Sequence, residues 1–142
     1  MAVCEINVKV NRVTPDDVVG AFQATGLWPV RHTWYRHQNT GNCSCGLGAL
    51  LMRVYDERGI PRPDPIRDYR FNYETEVCEK LGLHPLYVLG FTRGWDGVGD
   101  PLVIGETRHV VDETEKLIAL VGYMDGHEAY NTAYEVIVRK WN

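Results

Sequence analysis

Leu86-Tyr-Val-Leu-Gly-Phe-Thr-Arg-Gly-Trp-Asp-Gly97 and Ile118-Ala-Leu-Val-Gly-Tyr-Met-Asp-Gly-His-Glu-Ala129 are two copies of one pattern, 32 residues apart. Both read glycine, aromatic, two residues, glycine, one residue, acid, small. Two copies are too few for a solenoid, which needs about three or more units. The second copy lies inside a helical pattern running from about Asp112 to Ile137. One stripe of that helix is large (Leu117, Leu120, Met124, His127, Tyr130, Tyr134 and Ile137), and another is small (Gly122, Gly126, Ala129 and Ala133). A glycine inside a helix costs about 1 kcal/mol against alanine, so Gly90, Gly94, Gly122 and Gly126 need an offsetting gain. Close backbone approach supplies one, because helices lined by small residues pack nearer than the usual separation of about 8–10 Å. The two segments are therefore expected to be helices that cross through their glycines; the competing reading makes the same glycines turns that end short helices.

Outward from this pair the chain reads as further helices. Thr14-Pro15-Asp16-Asp17 is a helix start: Thr14 caps, Pro15 suits the first turn, and the carboxylates meet the positive end of the dipole. Val18, Val19 and Phe22 give it an apolar face, and Gly26 stops it. A second helix is predicted from near Cys43 to Gly59, a third from Asn72 to Gly82, and Pro85 opens the first Gly-bearing helix, which ends near Asp96. Between them, Ile60-Pro-Arg-Pro-Asp-Pro65 is an extended loop, since proline removes backbone donors and fixes φ. Cys4 to Val10 alternates as a short strand, for which Leu102 to Ile104 or the chain end is the expected partner. The fold class that follows is mainly α: a compact single domain over residues 1–142 on a close-packed, Gly-lined helix pair, with room for a small two-stranded sheet.

With 142 residues, 44% apolar and 24% charged, the chain falls in the single-domain range. Its longest nearly unbroken apolar run, Leu117 to Met124, is far short of the roughly 20 residues a membrane span needs. The first residues lack the basic-then-apolar pattern of a secretory signal, and four unevenly spaced cysteines (Cys4, Cys43, Cys45 and Cys78) read as free thiols in a reducing compartment. A cytoplasmic protein without a membrane partner is expected. The net charge is −4, and nine acids against two bases fall between Trp95 and Glu135. Strong nonspecific nucleic-acid binding, which rests on a clustered positive surface, is disfavoured.

Four sets of residues carry candidate chemistry. Cys43 and Cys45 stand at a predicted helix start, where free amides and the dipole lower a thiol pKa. Gln38 precedes them as an oxyanion donor and His109 offers a base, with Asp112 one turn on. Papain-like thiol proteases use a different interval between glutamine and cysteine and an aromatic after the nucleophile, so both details depart here. The small residues Gly46, Gly48 and Ala49 equally suit a tightly packed buried helix. His32, His37, Cys43 and Cys45 form a possible zinc set, but the single residue between the cysteines is closer than common zinc modules use, and no cofactor is predicted. Asp96, Asp125 and Glu128 form an acidic set able to hold a hard cation or, with Arg93, a salt-bridge network. The loop from Trp28 to His37, with Trp34, Tyr35, Arg31 and Arg36, interleaves aromatics and bases as single-strand binders do, although a loop pinned over the core by its tryptophans explains it with fewer assumptions.

Thr14-Pro-Asp-Asp-Val-Val-x-Ala-Phe-x-x-Thr-Gly-Leu-x-Pro29, Cys43-x-Cys-Gly-Leu-Gly-Ala-Leu50, Leu81-Gly-Leu83, Gly90-Phe-x-x-Gly-Trp-Asp-Gly97 and Gly122-Tyr-x-Asp-Gly126 together resemble small uncharacterised proteins of bacteria and their phages. The resemblance covers most of the chain in separated blocks. It implies an intracellular, bacterial or phage-encoded protein and no particular activity. No full set of nucleophile, base and orienter stands at recognisable spacing. The leading expectation is thus a binding or interaction module whose partner is a protein or small molecule, with Trp28, Trp34, Tyr35, Asp96, Asp125 and Glu128 on its working surfaces. A thiol-dependent enzyme is the alternative.

Overall fold

The computed structural model describes residues 10–36, 42–63, 71–99 and 112–141. The predicted strand over Cys4 to Val10, apart from its last residue, and its proposed partner Leu102 to Ile104 lie outside them, as do His37, Gln38 and His109. The described chain is mainly helical: α1 (Pro15–Thr25), α2 (Gly46–Arg58), α3 (Tyr73–Leu81), α4 (Pro85–Asp96) and α5 (Glu113–Ala133), the last continuing into a π turn (Tyr134–Val138) and a 3-10 turn (Arg139–Trp141). The chain end is therefore helical and no strand partner. Among the described residues a small sheet comes from the loop between α1 and α2. There β1 (Trp28–Pro29) pairs in parallel with β3 (Cys43–Ser44), and β2 (Tyr35–Arg36) adds to β3 antiparallel.

Local chemistry sets the helix ends. The Thr14 hydroxyl accepts from the Asp17 amide at 3.1 Å while the Asp17 carboxylate accepts from the Thr14 amide at 3.3 Å, a reciprocal capping box. Gly26 stops α1 at φ 73°, a left-handed conformation that glycine adopts without penalty. Helix α2 starts at Gly46 and not near Cys43, because Cys43 and Ser44 spend their backbone groups on the sheet. Cys45 becomes its N-cap.

Helices α4 and α5 form the predicted glycine-lined pair. A Cβ built on Gly90 would lie 2.0 Å from the Ala119 carbonyl oxygen, and one on Gly94 2.0 Å from that of Tyr123. From the other side, a Cβ on Gly122 would lie 2.3 Å from the Tyr87 oxygen and one on Gly126 2.1 Å from the Phe91 oxygen. The contacts are reciprocal. Gly90 meets Ala119 and Tyr123, while its repeat counterpart Gly122 meets Tyr87 and Phe91, the same offsets on the opposite helix. Contact positions advance together along both helices, so the pair runs parallel and is related by a local two-fold. At this range each glycine Cα–H faces a carbonyl oxygen, the weak hydrogen bond that recurs at close helix interfaces. The glycines are not turns.

The face that α5 buries is the small one. Ile118, Ala119, Gly122, Gly126, Ala129 and Ala133 are buried, whereas Leu120 is 41% and Met124 59% exposed. The gain of backbone contact along α4 outweighs covering those larger side chains. Helix α1 packs on α2 and α5, and Trp95 of α4 fills the junction. It is fully buried, stacked on Phe22 with ring centroids 5.9 Å apart and meeting the Tyr130 edge at 5.1 Å, and its indole N–H donates to the Val30 carbonyl at 2.7 Å. Gly46 leaves the space Trp95 occupies, since a Cβ there would sit 3.1 Å from the indole ring. Gly48 does the same for the loop, where a Cβ would fall 1.9 Å from the Trp34 carbonyl oxygen. The small residues after the cysteines thus serve packing.

Candidate functional site

The three residues before β2, the N-cap of α2, and helices α3 and α4 enclose a cavity of about 460 Å³. Pro85, Leu86, Val88, Leu89 and Thr92 of α4 form one wall, on the side of the helix that its glycines leave free. Trp34 forms another, stacked on Tyr73 with centroids 4.6 Å apart and on Phe71 at 5.1 Å. Besides Thr92, the polar side chains reaching the cavity include Cys45, Tyr73, Glu74, Cys78, His32, Thr33 and Asp96.

Cys45 is 4% exposed, and its sulfur lies 3.2 Å from the Tyr73 hydroxyl and accepts from the Gly48 amide at 3.4 Å. Burial pushes its thiol pKa up, and the lowering by Tyr73 and the Gly48 amide does not offset this. The helix-start position that predicted a reactive thiolate is therefore overridden by desolvation. Burial, then the neighbouring Cys45, raise the Tyr73 phenol well above its usual range. Cys43 is half-buried, and Cys43, Cys45 and Cys78 are free thiols.

Asp96 ends α4 at the cavity rim. It accepts from the His32 amide at 2.8 Å, and the His32 ring Nδ1 stands 3.8 Å from its other oxygen. His32 has φ 66°, a conformation uncommon outside glycine, and that amide bond helps to hold it there. Arg31 fixes the same helix end. Its Nε donates to the Trp95 carbonyl at 2.8 Å and its guanidinium lies 3.6 Å from the centre of the Tyr130 ring.

Of the residues singled out from sequence, Trp34, Cys45, His32 and Asp96 meet at this cavity. Tyr35 is buried and does not line it, and Trp28 stands on β1, 38% exposed. Asp125 is elsewhere: buried on α5, it binds Arg12 through both carboxylate oxygens at 2.8 and 3.0 Å and accepts from the Tyr87 hydroxyl at 2.7 Å. Glu128 is exposed near Arg12. The acidic set is thus split between two places, and the arginine that closes on Asp125 is Arg12. Among the described residues no three His, Cys, Asp or Glu side chains converge as metal ligands; of the zinc set, His37 lies outside the described residues. Tyr73, Glu74, Cys78, Leu86 and Leu89 were not anticipated. The signal for the last two is on α4 itself, which carries an apolar stripe besides its glycines and so needs a second neighbour.

Four groups, two at the cavity and two elsewhere in the fold, are held in their protonated form. Burial raises Cys45, Tyr73, Tyr55 and Tyr87, and for Tyr55 a hydrogen bond to Glu76 at 2.6 Å adds to it. The unfolded chain releases these protons from about pH 8.5 (thiol) and about pH 10 (phenols), while the fold retains them to higher pH. Their stabilisation is therefore complete below those values and is lost as pH rises through the folded ones. Urea midpoints are expected to fall steadily between about pH 9 and 11, less steeply in Tyr73→Phe. A midpoint constant over that range would contradict the buried phenols.

Among the described residues no helix is long and apolar enough to cross a membrane. Set beside known proteins, the chain matches no family model, no curated protein and no solved structure.

Proposed function

We propose that this protein is a non-catalytic binding module that takes a small, largely apolar molecule into the cavity between α3, α4 and the loop before β2. The observation that carries the reading is the cavity itself. Its volume of about 460 Å³ lies in the range of small-molecule sites, and its mostly apolar walls carry a few convergent polar groups. The free thiols support a reducing setting, and we assign the module to the cytoplasm of a bacterial cell, as a host or phage product. A thiol enzyme using Cys45 draws support from the amide aimed at its sulfur. The raised thiol pKa argues against it.

The neutral dye phenylnaphthylamine, which brightens in apolar surroundings, is expected to bind saturably at one site per chain. Leu89→Trp, which fills the cavity from a half-buried position, is expected to abolish that binding while the protein stays folded by circular dichroism. Iodoacetamide is expected to label Cys45 at least about tenfold more slowly in the folded protein than in urea. Dye binding unchanged by Leu89→Trp, or absent from the wild type, would overturn the reading. Rapid labelling of folded Cys45 near neutral pH would favour the enzyme.

A further inference from the structure

Resting on the binding role just given, we infer that the cavity selects an organic cation, an amine or quaternary ammonium carried on an apolar or aromatic body. Two carboxylates, Glu74 and Asp96, reach the cavity, and among the described residues no lysine or arginine does. The basic side chain among the described lining residues is His32, which is 70% exposed. The Asp96 side chain is only 16% exposed, so its charge is weakly screened and acts across the cavity. That field is felt at the floor: after burial itself, Asp96 is among the causes that raise both Cys45 and Tyr73, and Glu74 acts on Tyr73 in the same sense. Burial first, with this field adding to it, favours the neutral thiol and phenol, so neither adds a further anion to repel a neighbour. The rings of Trp34 and Tyr73, stacked on each other, add apolar aromatic surface for the body that carries the charge. An anionic ligand would meet two like charges in a low-dielectric space. A neutral apolar one would fill the volume but leave the field unused.

Charge and shape separate cleanly with benzyltrimethylammonium and its neutral carbon isostere, neopentylbenzene. Both are scored by displacement of phenylnaphthylamine from the wild-type protein in low salt near neutral pH. The cation is expected to displace the dye at concentrations at least about tenfold lower than the isostere, a ratio worth about 1.4 kcal/mol. Salt is expected to shrink the ratio, as is Glu74→Gln, which removes a charge from an exposed side chain and is scored against its own measured dye affinity. Asp96→Asn is expected to shrink it further; if that variant fails to fold, the wild-type ratio and Glu74→Gln still decide. Neopentylbenzene displacing the dye as well as the cation does would overturn the cation assignment and leave the cavity's binding role standing. Dye that never binds the wild type would overturn the binding role instead.

Discussion

Gly94→Leu is expected to leave no stable folded protein, and Gly126→Leu is expected to do the same. Each glycine faces a backbone carbonyl of the partner helix, and a single added carbon would already overlap that oxygen, at 2.0 Å for Gly94 and 2.1 Å for Gly126. Backbone cannot rotate aside as a side chain can, so the helices must part along the whole interface. Overpacking of an ordinary core costs about 1–3 kcal/mol. Here even Gly94→Ala is expected to cost about 3 kcal/mol, although alanine is the better helix former by about 1 kcal/mol. A leucine adds three further carbons to that conflict and exceeds what a marginally stable domain of about 5–15 kcal/mol tolerates. The local two-fold makes a second statement: Gly90→Ala and Gly122→Ala should destabilise by similar amounts, because each glycine meets the same offsets on the other helix. Gly20 is the control. A Cβ there meets only the end of the flexible Arg53 side chain, at 3.3 Å, so Gly20→Ala is expected to be neutral or stabilising by up to about 1 kcal/mol. Thermal melts of the six variants check this, and a melting temperature unchanged in Gly94→Leu or Gly126→Leu would refute the interface.

The helix pair was legible because its signal is energetic. Four glycines placed where they weaken isolated helices require a compensating contact, and the repeat supplied the partner. Helix ends at Thr14, Asn72, Gly82 and Asp112 were legible for a similar local reason, since capping is decided within about four residues. The start of α2 was not. Cys43 fits a helix start until residues more than ten positions earlier claim its backbone for a sheet, a contact that no local pattern carries. The orientation of α5 was equally hidden, because hydrophobic periodicity weighs side chains and cannot weigh the backbone contact that turned Leu120 and Met124 outward. The cavity has four contributors separated in sequence, and of its lining residues Trp34, Cys45, His32 and Asp96 are the ones whose local pattern marks them as candidate site residues. A helix start lowers a thiol pKa only while the sulfur remains solvated, and the burial that pushes Cys45 the other way comes from contacts such as Tyr73 that no local pattern carries.

Asp125→Ala is expected to destabilise the protein by about 3 kcal/mol, more than any other single change among its surface-reaching ion pairs. Its carboxylate is 8% exposed and accepts three hydrogen bonds from two side chains. Both oxygens take the Arg12 guanidinium, and one also accepts from the Tyr87 hydroxyl, which in turn accepts from the Val13 amide at 2.7 Å. The chain entering α1 is thereby tied to α4 and α5 at the level of their glycine contact. Arg12 itself is 60% exposed, so the Coulombic part is screened and Arg12→Ala is expected to cost only about 1–2 kcal/mol. Most of the Asp125 effect arises from the Tyr87 hydroxyl, which loses its acceptor in a place water does not replace. Two consequences distinguish this account from a simple ion pair. In a double-mutant cycle, Arg12→Ala added to Asp125→Ala is expected to cost little more than Asp125→Ala alone, because the arginine has already lost its partner. Tyr87→Phe, which leaves the ion pair intact, is expected to speed hydrogen exchange at the Val13 amide by at least about tenfold. Additive costs in the cycle, together with unchanged exchange at Val13, would reduce the network to independent contacts and leave the entry to α1 anchored by packing alone.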